Sequence, residues 1–114
     1  MNIGNKNYLC TLDYAMELIK GKWKAVIICH LNDSSCRFLE LQRKLPGVSH
    51  KILSEKLNEL VDDQLIIKTV HSHTPPNVEY KLSEHGLELF KIIDLLQTWA
   101  DKYIENRFNS SSDL

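Results

Sequence analysis

The sequence predicts an α+β fold that is mainly α, because three successive features in the middle of the chain fit one architecture. A short helical segment over residues 39–45 meets a tight break at Pro46-Gly47, and a second helix begins at Ser49. Two strand-like runs follow, joined by a proline-containing tip at residues 75–77. A helix, a sharp corner, a helix and a hairpin make up a winged helix-turn-helix with a two-stranded wing.

Two helices are predicted before this motif. The first covers residues 11–19, with Thr11 as its N-cap and Asp13 in the first turn, where the helix dipole favours an acid. The second covers residues 22–31 and is apolar nearly all round, which is typical of a central, buried helix. Residues 1–9 are polar, and we expect them to form a flexible N-terminal segment.

The helix that begins at Ser49 is strongly amphipathic. At 100° per residue its apolar side contains Ile52, Leu53, Leu57, Leu60 and Val61. Its polar side carries Lys51, Ser54, Glu55 and Asn58. Strands are predicted over residues 65–70 and 78–82, so residues 71–77 are expected to form the loop at the wing tip.

The last predicted helix is capped by Ser83, runs to residue 106 and carries more apolar surface than one stripe. One seam contains Leu89, Phe90, Ile93, Leu96 and Ala100. A second seam contains Ile92, Leu95, Trp99 and Tyr103. One seam can cover the core. The other is expected to pack against a partner helix, since it would be exposed to solvent in a monomer. The winged-helix domain with its N- and C-terminal dimerisation helices is therefore predicted over residues 10–106, and residues 107–114 as a disordered tail.

Composition fits a soluble, single-domain protein. Apolar residues make up 43% and charged residues 25% of the 114 positions. No apolar run reaches the roughly 18 residues needed to span a bilayer, and the first eight residues lack the apolar stretch of a signal peptide, so a cytoplasmic location is expected. The net charge of -1 argues against simple phosphate binding, but residues 37–56 are net +3 (five bases, two acids) and residues 84–105 net -3 (two bases, five acids).

This positive balance, the Pro-Gly corner and the hairpin together favour DNA recognition by the helix that follows Ser49. Ser49 caps that helix, whose first N–H groups are expected to meet a phosphate. Four side chains are placed to read base edges: Lys51, Ser54, Glu55 and Asn58. Lysine suits guanine, asparagine suits adenine, and glutamate accepts from cytosine. Phosphate contacts that set position rather than sequence are expected from Arg37, Lys44 and Lys56.

The chain resembles the HxlR family of bacterial transcriptional regulators, which are relatives of the MarR type. The matching pieces keep their order and spacing over about residues 10–103: Leu18-Ile-Lys-Gly-Lys-Trp-Lys24, Arg37-Phe38, Leu41, Leu45-Pro-Gly-Val-Ser49, Lys51, Leu53, Leu57, Leu60, Leu65, Pro75-Pro76, Val78-Glu-Tyr80 and Leu82-Ser-Glu-His-Gly86. The resemblance implies a homodimer joined by terminal helices. It also implies a recognition helix in the major groove and wing tips near the minor groove.

Two positions depart from the family pattern. His50 stands where the family often has Gln after the recognition-helix Ser, which leaves the base preference open. Asn77 stands where a basic residue often follows the wing prolines, which weakens the expected minor-groove contact. Other wing side chains can support that contact: Lys68, His71, His73 and Lys81.

Three cysteines, at positions 10, 29 and 36, are an odd number and do not suggest a structural disulfide framework. Cys10 lies beside the expected N-terminus of the first helix, where the helix dipole favours a thiolate. In a branch of the family, a cysteine at the matching place senses quinones, aldehydes or hypochlorite-type oxidants, so the resemblance implies a redox-sensing role for Cys10. The alternative is an ordinary free thiol. Cys36 is a weaker candidate as a resolving partner, and Cys29 is expected in the core.

No signature of an enzyme or of a cofactor or metal site stands out. His71 and His73 alternate on one strand but have no Cys or carboxylate at ligand spacing nearby, so no metal is expected. The sequence therefore predicts a dimeric repressor or activator that binds a near-palindromic operator with half-sites about 10 bp apart. The alternative is a winged helix used for protein association without DNA, which the net charge of -1 supports.

Overall fold

The computed structural model describes residues 1–109 and confirms the predicted mainly helical α+β fold. The helices are α1 (Thr11–Leu18), α2 (Lys24–Asp33), α3 (Phe38–Lys44), α4 (His50–Asp62) and α5 (Glu84–Ile104), with a π-helical turn at Glu105–Asn109. The strands are β1 (Asn2–Ile3), β2 (Lys6–Asn7), β3 (Cys36–Arg37), β4 (Ile66–His73) and β5 (Pro76–Leu82). Within residues 1–109, no helix is both long and apolar enough to cross a bilayer.

The wing belongs to a three-stranded antiparallel sheet in the order β3-β5-β4. The sequence did not predict β3, because two residues are too few to show a period-2 pattern. The wing is also longer than predicted, since the ladder continues past an irregularity between Val70 and Ser72 as far as His73 opposite Pro76. The expected loop over residues 71–77 therefore shrinks to a turn. Pro76 is tolerated because it is the first residue of its strand.

The core surrounds α2 and takes buried side chains from α3, α4, α5 and the sheet, whereas α1 has no buried residue. Ile27 and Ile28 of α2 are fully buried, and so are Leu53, Leu57 and Leu60 of α4. Around them pack Leu31, Cys36, Leu41, Leu45, Val48, Leu65, Ile66, Tyr80, Leu82 and Ile93. The prediction that α4 buries its apolar side is confirmed. α2 packs against α3, α4 and α5, as expected of a central helix, but Val26 in its apolar run is 41% exposed.

Two tight corners set the directions of α4 and α5. Gly47 adopts φ +91°, a left-handed conformation that glycine tolerates best, and turns the chain between α3 and α4. At the start of α5, the Ser83 hydroxyl accepts from Gly86 N–H at 3.0 Å and donates to Gln64 C=O at 2.6 Å. Gly86 lies against the backbone of Leu65, where a Cβ atom would be 2.1 Å from the carbonyl oxygen. This close approach holds α5 against the segment between α4 and β4.

The N-terminal segment contains secondary structure that the sequence did not predict. Residues 1–9 contain the β1–β2 hairpin rather than an irregular stretch, with Lys6 Nζ 2.9 Å from Glu17 Oε1 of α1. Thr11 is the first residue of α1, not its N-cap; Cys10 occupies that position and makes no side-chain cap. Asp13 instead accepts a hydrogen bond from Leu9 N–H at 2.9 Å, which holds the chain entering α1.

At the other end, α5 stops at Ile104 and the π-helical turn continues to Asn109, where a tail was expected from residue 107. Residues 110–114 of that predicted tail lie outside the described part of the chain. The division of the chain at residues 9 and 106 remains a prediction.

Candidate nucleic-acid interface

A serine caps the N-terminus of α4, and burial of the helix's apolar side orients its polar side toward the surface. Ser49 is the N-cap as predicted, because its hydroxyl accepts a hydrogen bond from Ile52 N–H at 3.1 Å. Leu53 and Leu57 on the opposite side have no exposed surface. With that side fixed in the core, rotation of α4 about its axis would break the packing.

The side chains predicted to read bases lie on this outward side. Lys51, Glu55 and Asn58 are exposed, and none of them forms an ion pair or side-chain hydrogen bond within residues 1–109. Ser54 is half-buried at the edge of the same side. Because their polar groups are free of protein partners, the three exposed side chains can exchange water for base edges without breaking an internal contact.

His50 has a neighbour that the sequence did not reveal. It is the first residue of α4 and is exposed, but its ring centroid lies 4.5 Å from that of Phe38, with the planes tilted by 43°. The contact joins the first residues of α3 and α4 across the corner. His50 is therefore positioned by packing, which restricts how it can approach a base.

The predicted phosphate contacts fall into two groups. Arg37 is exposed where β3 meets α3, and no acid is paired with its guanidinium in the described chain. Lys44 Nζ lies 3.5 Å from Cys36 Sγ, and Lys56 Nζ lies 3.5 Å from Glu59 Oε2. Lys56 is 26% exposed and its charge is partly balanced by Glu59, so it is less available to an external anion than Arg37 or Lys44.

On the wing, Lys68 and His73 are exposed, and neither forms an ion pair with an acid within residues 1–109. Asn77 is half-buried. Within residues 1–109, its Oδ1 is the one buried side-chain polar atom without a hydrogen-bond partner. His71 lies 3.4 Å from Glu79, which also accepts from the Ser35 hydroxyl at 3.1 Å. Glu79 thus makes His71 less available to an external anion than Lys68 or His73. No group of three or more metal-ligand side chains occurs among the described residues.

An ion pair between a buried lysine of α2 and a partly exposed glutamate of α4 was not predicted. Lys24 of α2 is 8% exposed and its Nζ lies 2.8 Å from Glu59 Oε2 of α4. The hydrogen bond from Lys24, together with its charge and that of Lys56, holds the pKa of Glu59 below its usual range. A signal was available, because Lys24 stands three and four residues before Ile27 and Ile28 and so shares their buried face.

The three cysteines have different environments. Cys10 is exposed, and Cys29 is half-buried, where burial and then the Asp94 and Asp33 carboxylates raise the pKa of its thiol. Cys36 is only 1% exposed, because β3 places it in the core beneath the sheet. Its Sγ donates to Ser34 C=O and accepts from Lys44 Nζ, each at 3.5 Å. This burial argues against Cys36 as a freely accessible resolving thiol.

The C-terminal helix leaves a long apolar surface uncovered. The second seam is exposed as predicted: Ile92 by 63%, Leu95 by 70%, Trp99 by 61% and Tyr103 by 47%. Trp99 stacks on Tyr103 with ring centroids 5.0 Å apart. Leu96 was assigned to the core-covering seam but is 55% exposed, because the core ends near Ile93 and α5 extends beyond it.

In this winged helix, α4 is the second helix of the helix-turn-helix and presents unpaired polar side chains next to unpaired cations. This arrangement defines the class of helix-turn-helix DNA-binding proteins. Comparison with known proteins identifies the family. The sequence model of the HxlR-like helix-turn-helix family matches residues 18–108. The chain belongs to this family, and it is a helix-turn-helix transcriptional regulator.

Relatives and solved structures agree with this assignment. The uncharacterized HTH-type transcriptional regulator YtcD of Bacillus subtilis is 39% identical over 106 residues, covering 93% of this chain and 84% of that protein. The redox regulator HypR in its reduced form is 30% identical with a TM-score of 0.80, over 90% of this chain and 99% of that one. Reduced YodB of B. subtilis, a transcriptional regulator, is 33% identical with a TM-score of 0.75, over 87% and 98% of the two chains.

Removing the charge of Glu59 tests the ion pair between Lys24 and Glu59. We expect Glu59→Gln to lower the free energy of unfolding at pH 7 by about 1–2 kcal/mol, less than for a fully buried pair because Glu59 is 45% exposed. Since the folded pKa of Glu59 is depressed, its contribution is present above the unfolded pKa of about 4.3 and is lost as pH falls through the folded value. The measurement is urea unfolding between pH 3 and 7.

Glu55→Gln is the matched control, since it removes the same charge one turn earlier on α4 from an exposed side chain. It should change the unfolding free energy by less than about 0.5 kcal/mol. A difference between wild type and Glu59→Gln that stays constant down to pH 3 would contradict the assignment.

Proposed function

We propose that two copies of this chain bind a near-palindromic DNA operator, with α4 of each copy in the major groove and the wing beside the adjacent minor groove. The outward, unpaired presentation of Lys51, Glu55 and Asn58 carries the proposal. Arg37 and Lys44 would contact the backbone on the same surface, and Lys68 and His73 would extend the contact along the wing. Operators of this kind have half-sites about one helical turn apart.

The dimer is argued from the uncovered surface of α5. Exposed apolar side chains along one seam of a helix are costly in water and are normally covered by a partner. The N-terminal helix adds further apolar surface, with Leu12 exposed by 66% and Met16 by 53%. Packing these helices against their copies would set the separation of the two α4 helices and so the spacing of the half-sites.

Selection from a random duplex pool tests the DNA contacts. The wild-type protein should enrich an inverted repeat, and its affinity should fall steeply as salt rises. Lys51→Ala and Asn58→Ala should each relax one position per half-site, at a cost of about 1–3 kcal/mol per contact. Lys44→Ala should weaken binding on all duplexes without changing the selected motif.

Lys91→Ala on α5 is the control, because it removes the same charge from an exposed side chain that the proposal leaves off the DNA surface. It should select the wild-type motif. Failure to enrich any motif, together with no salt-dependent binding of duplex, would favour protein association over DNA recognition.

A charge placed in the exposed seam of α5 tests the dimer. We expect Leu95→Asp to convert the protein to monomers in sedimentation velocity and to weaken operator binding, because an unpaired carboxylate would be buried in the interface. Leu87→Asp is the control, since Leu87 is 45% exposed on the same helix but outside the seam. A Leu95→Asp protein that sediments as wild type would exclude this face from the interface.

We further propose that Cys10 makes the regulator responsive to oxidants or electrophiles. Cys10 is the exposed thiol of the three, it stands at the N-terminus of α1, and α1 belongs to the proposed interface. The similarity to HypR and YodB supports the role, because HypR is described as a redox regulator. Modification would act by favouring one of two dimer geometries with different DNA affinity.

Treatment with diamide tests this role. Diamide takes two electrons and two protons from two thiols, here Cys10 of each copy in the proposed dimer, which join as a disulfide while diamide becomes the hydrazine. We expect the wild type to change its operator affinity at least about tenfold, as a coupling of about 1.4 kcal/mol would give, and to recover with dithiothreitol. Cys10→Ser should lose the response, and Cys29→Ser should keep it because burial raises the pKa of that thiol. A Cys10→Ser protein that still responds would exclude Cys10.

A further inference from the structure

A groove of about 730 Å³ lies between α3 and the wing. Its floor is apolar and is formed by Phe38 together with Val78 and Tyr80 of β5. Because β3 pairs with β5 and leads directly into α3, the two walls of this groove are joined by backbone hydrogen bonds. The groove is therefore a built part of the fold.

Three cations stand around this floor: Arg37, Arg43 and Lys68. In the described chain none of them has an acidic partner within ion-pair distance. The one acid of the lining, Glu40, already accepts from the backbone N–H of Arg37 at 3.0 Å, where it also faces the positive end of α3. The groove thus has an excess of unpaired positive charge.

Tyr80 supplies an unused hydrogen-bond group. The residue is only 6% exposed, yet its hydroxyl has no hydrogen-bond partner within residues 1–109. Its hydroxyl oxygen keeps some exposed surface, and Tyr80 lines the groove. Burial raises the pKa of Tyr80, which keeps the phenol protonated and available as a donor. The hydroxyl can therefore donate to a bound acceptor without first breaking an internal hydrogen bond.

We propose that this groove binds a small organic acid with an apolar body, whose anionic group meets the cations and the Tyr80 hydroxyl. A DNA phosphate could supply the same negative charge, but a phosphate has no use for the apolar floor formed by Phe38 and Val78. The regulatory consequence rests on the proposed function, since Arg37 and Lys68 are also proposed DNA contacts. An acid held in the groove would neutralise them and lower the affinity for DNA.

The probe is 2-naphthoate, with uncharged 2-naphthylmethanol as its matched control, titrated without DNA and followed by amide resonances of the labelled protein. We expect saturable shifts centred on Phe38, Arg43, Lys68 and Val78. The alcohol should bind at least about tenfold more weakly, since it lacks the charge-assisted contacts. Tyr80→Phe and Arg43→Gln should each weaken naphthoate about five- to tenfold, as the loss of one hydrogen bond would. Lys91→Gln should have no effect.

A second arm adds 2-naphthoate to protein bound to non-specific duplex. Displacement by naphthoate, but not by the alcohol, supports competition for the groove. Equal binding of acid and alcohol, shifts centred on the apolar side of α5, or no binding would each overturn the proposal. Naphthoate bound in the groove with unchanged duplex affinity would overturn the regulatory consequence. Absence of duplex binding would instead contradict the proposed function. The proposed groove would still be tested, because the titration without DNA measures naphthoate binding separately.

Discussion

The burial of one side of α4 is the constraint on which the functional surface depends. Leu53, Leu57 and Leu60 have no exposed surface, so their packing fixes the rotation of the helix about its axis. A shift of one residue in this packing would turn the helix by about 100° and carry Lys51 and Asn58 away from the outward side. The same hydrophobic contacts that stabilise the domain therefore choose which side chains are available to DNA, and the Lys24–Glu59 pair ties α4 to α2 from behind.

The three-stranded sheet gives the wing a fixed relation to the helix-turn-helix. A hairpin alone would be free to move relative to the helices, but β3 adds a third strand and continues without a linker into α3. Arg37 is both the end of β3 and the N-cap of α3, so no linker separates the sheet from this helix. Phe38 continues this connection to α4 through its contact with His50.

The molecule separates its charged and apolar functions along the chain. The cations of residues 37–56 surround the corner and α4, whereas α5 carries the exposed seam and most of the acidic excess. This separation explains how a chain of net charge -1 can serve as a DNA-binding protein, because screening limits the repulsion from acids more than about 10 Å away. Cys10 stands beside exposed Leu9 and Leu12, so its thiol belongs to the apolar rather than the basic surface.

The order of helices and wing, the cap at Ser49 and the outward side of α4 follow from the sequence alone. They depend on local rules: helical spacing of apolar residues, the glycine that the corner requires, and hydroxyl side chains at helix starts. The exposed seam of α5 also follows from spacing, whereas the exposure of Leu96 depends on where the core ends. The spacing of apolar residues along the sequence carries no information about such distances between elements.

Tertiary structure decided the features that join residues far apart in sequence. The strand β3 is too short for a periodic pattern and exists because Tyr80 and Glu79 lie opposite Cys36 and Arg37. Four further features depend on how the elements pack: the contact of His50 with Phe38, the burial of Cys36, the ion pair of Lys24 and the groove lined by Tyr80. Sequence periodicity reports which side of an element is buried, but the neighbour it is buried against is set by the packing of the whole chain.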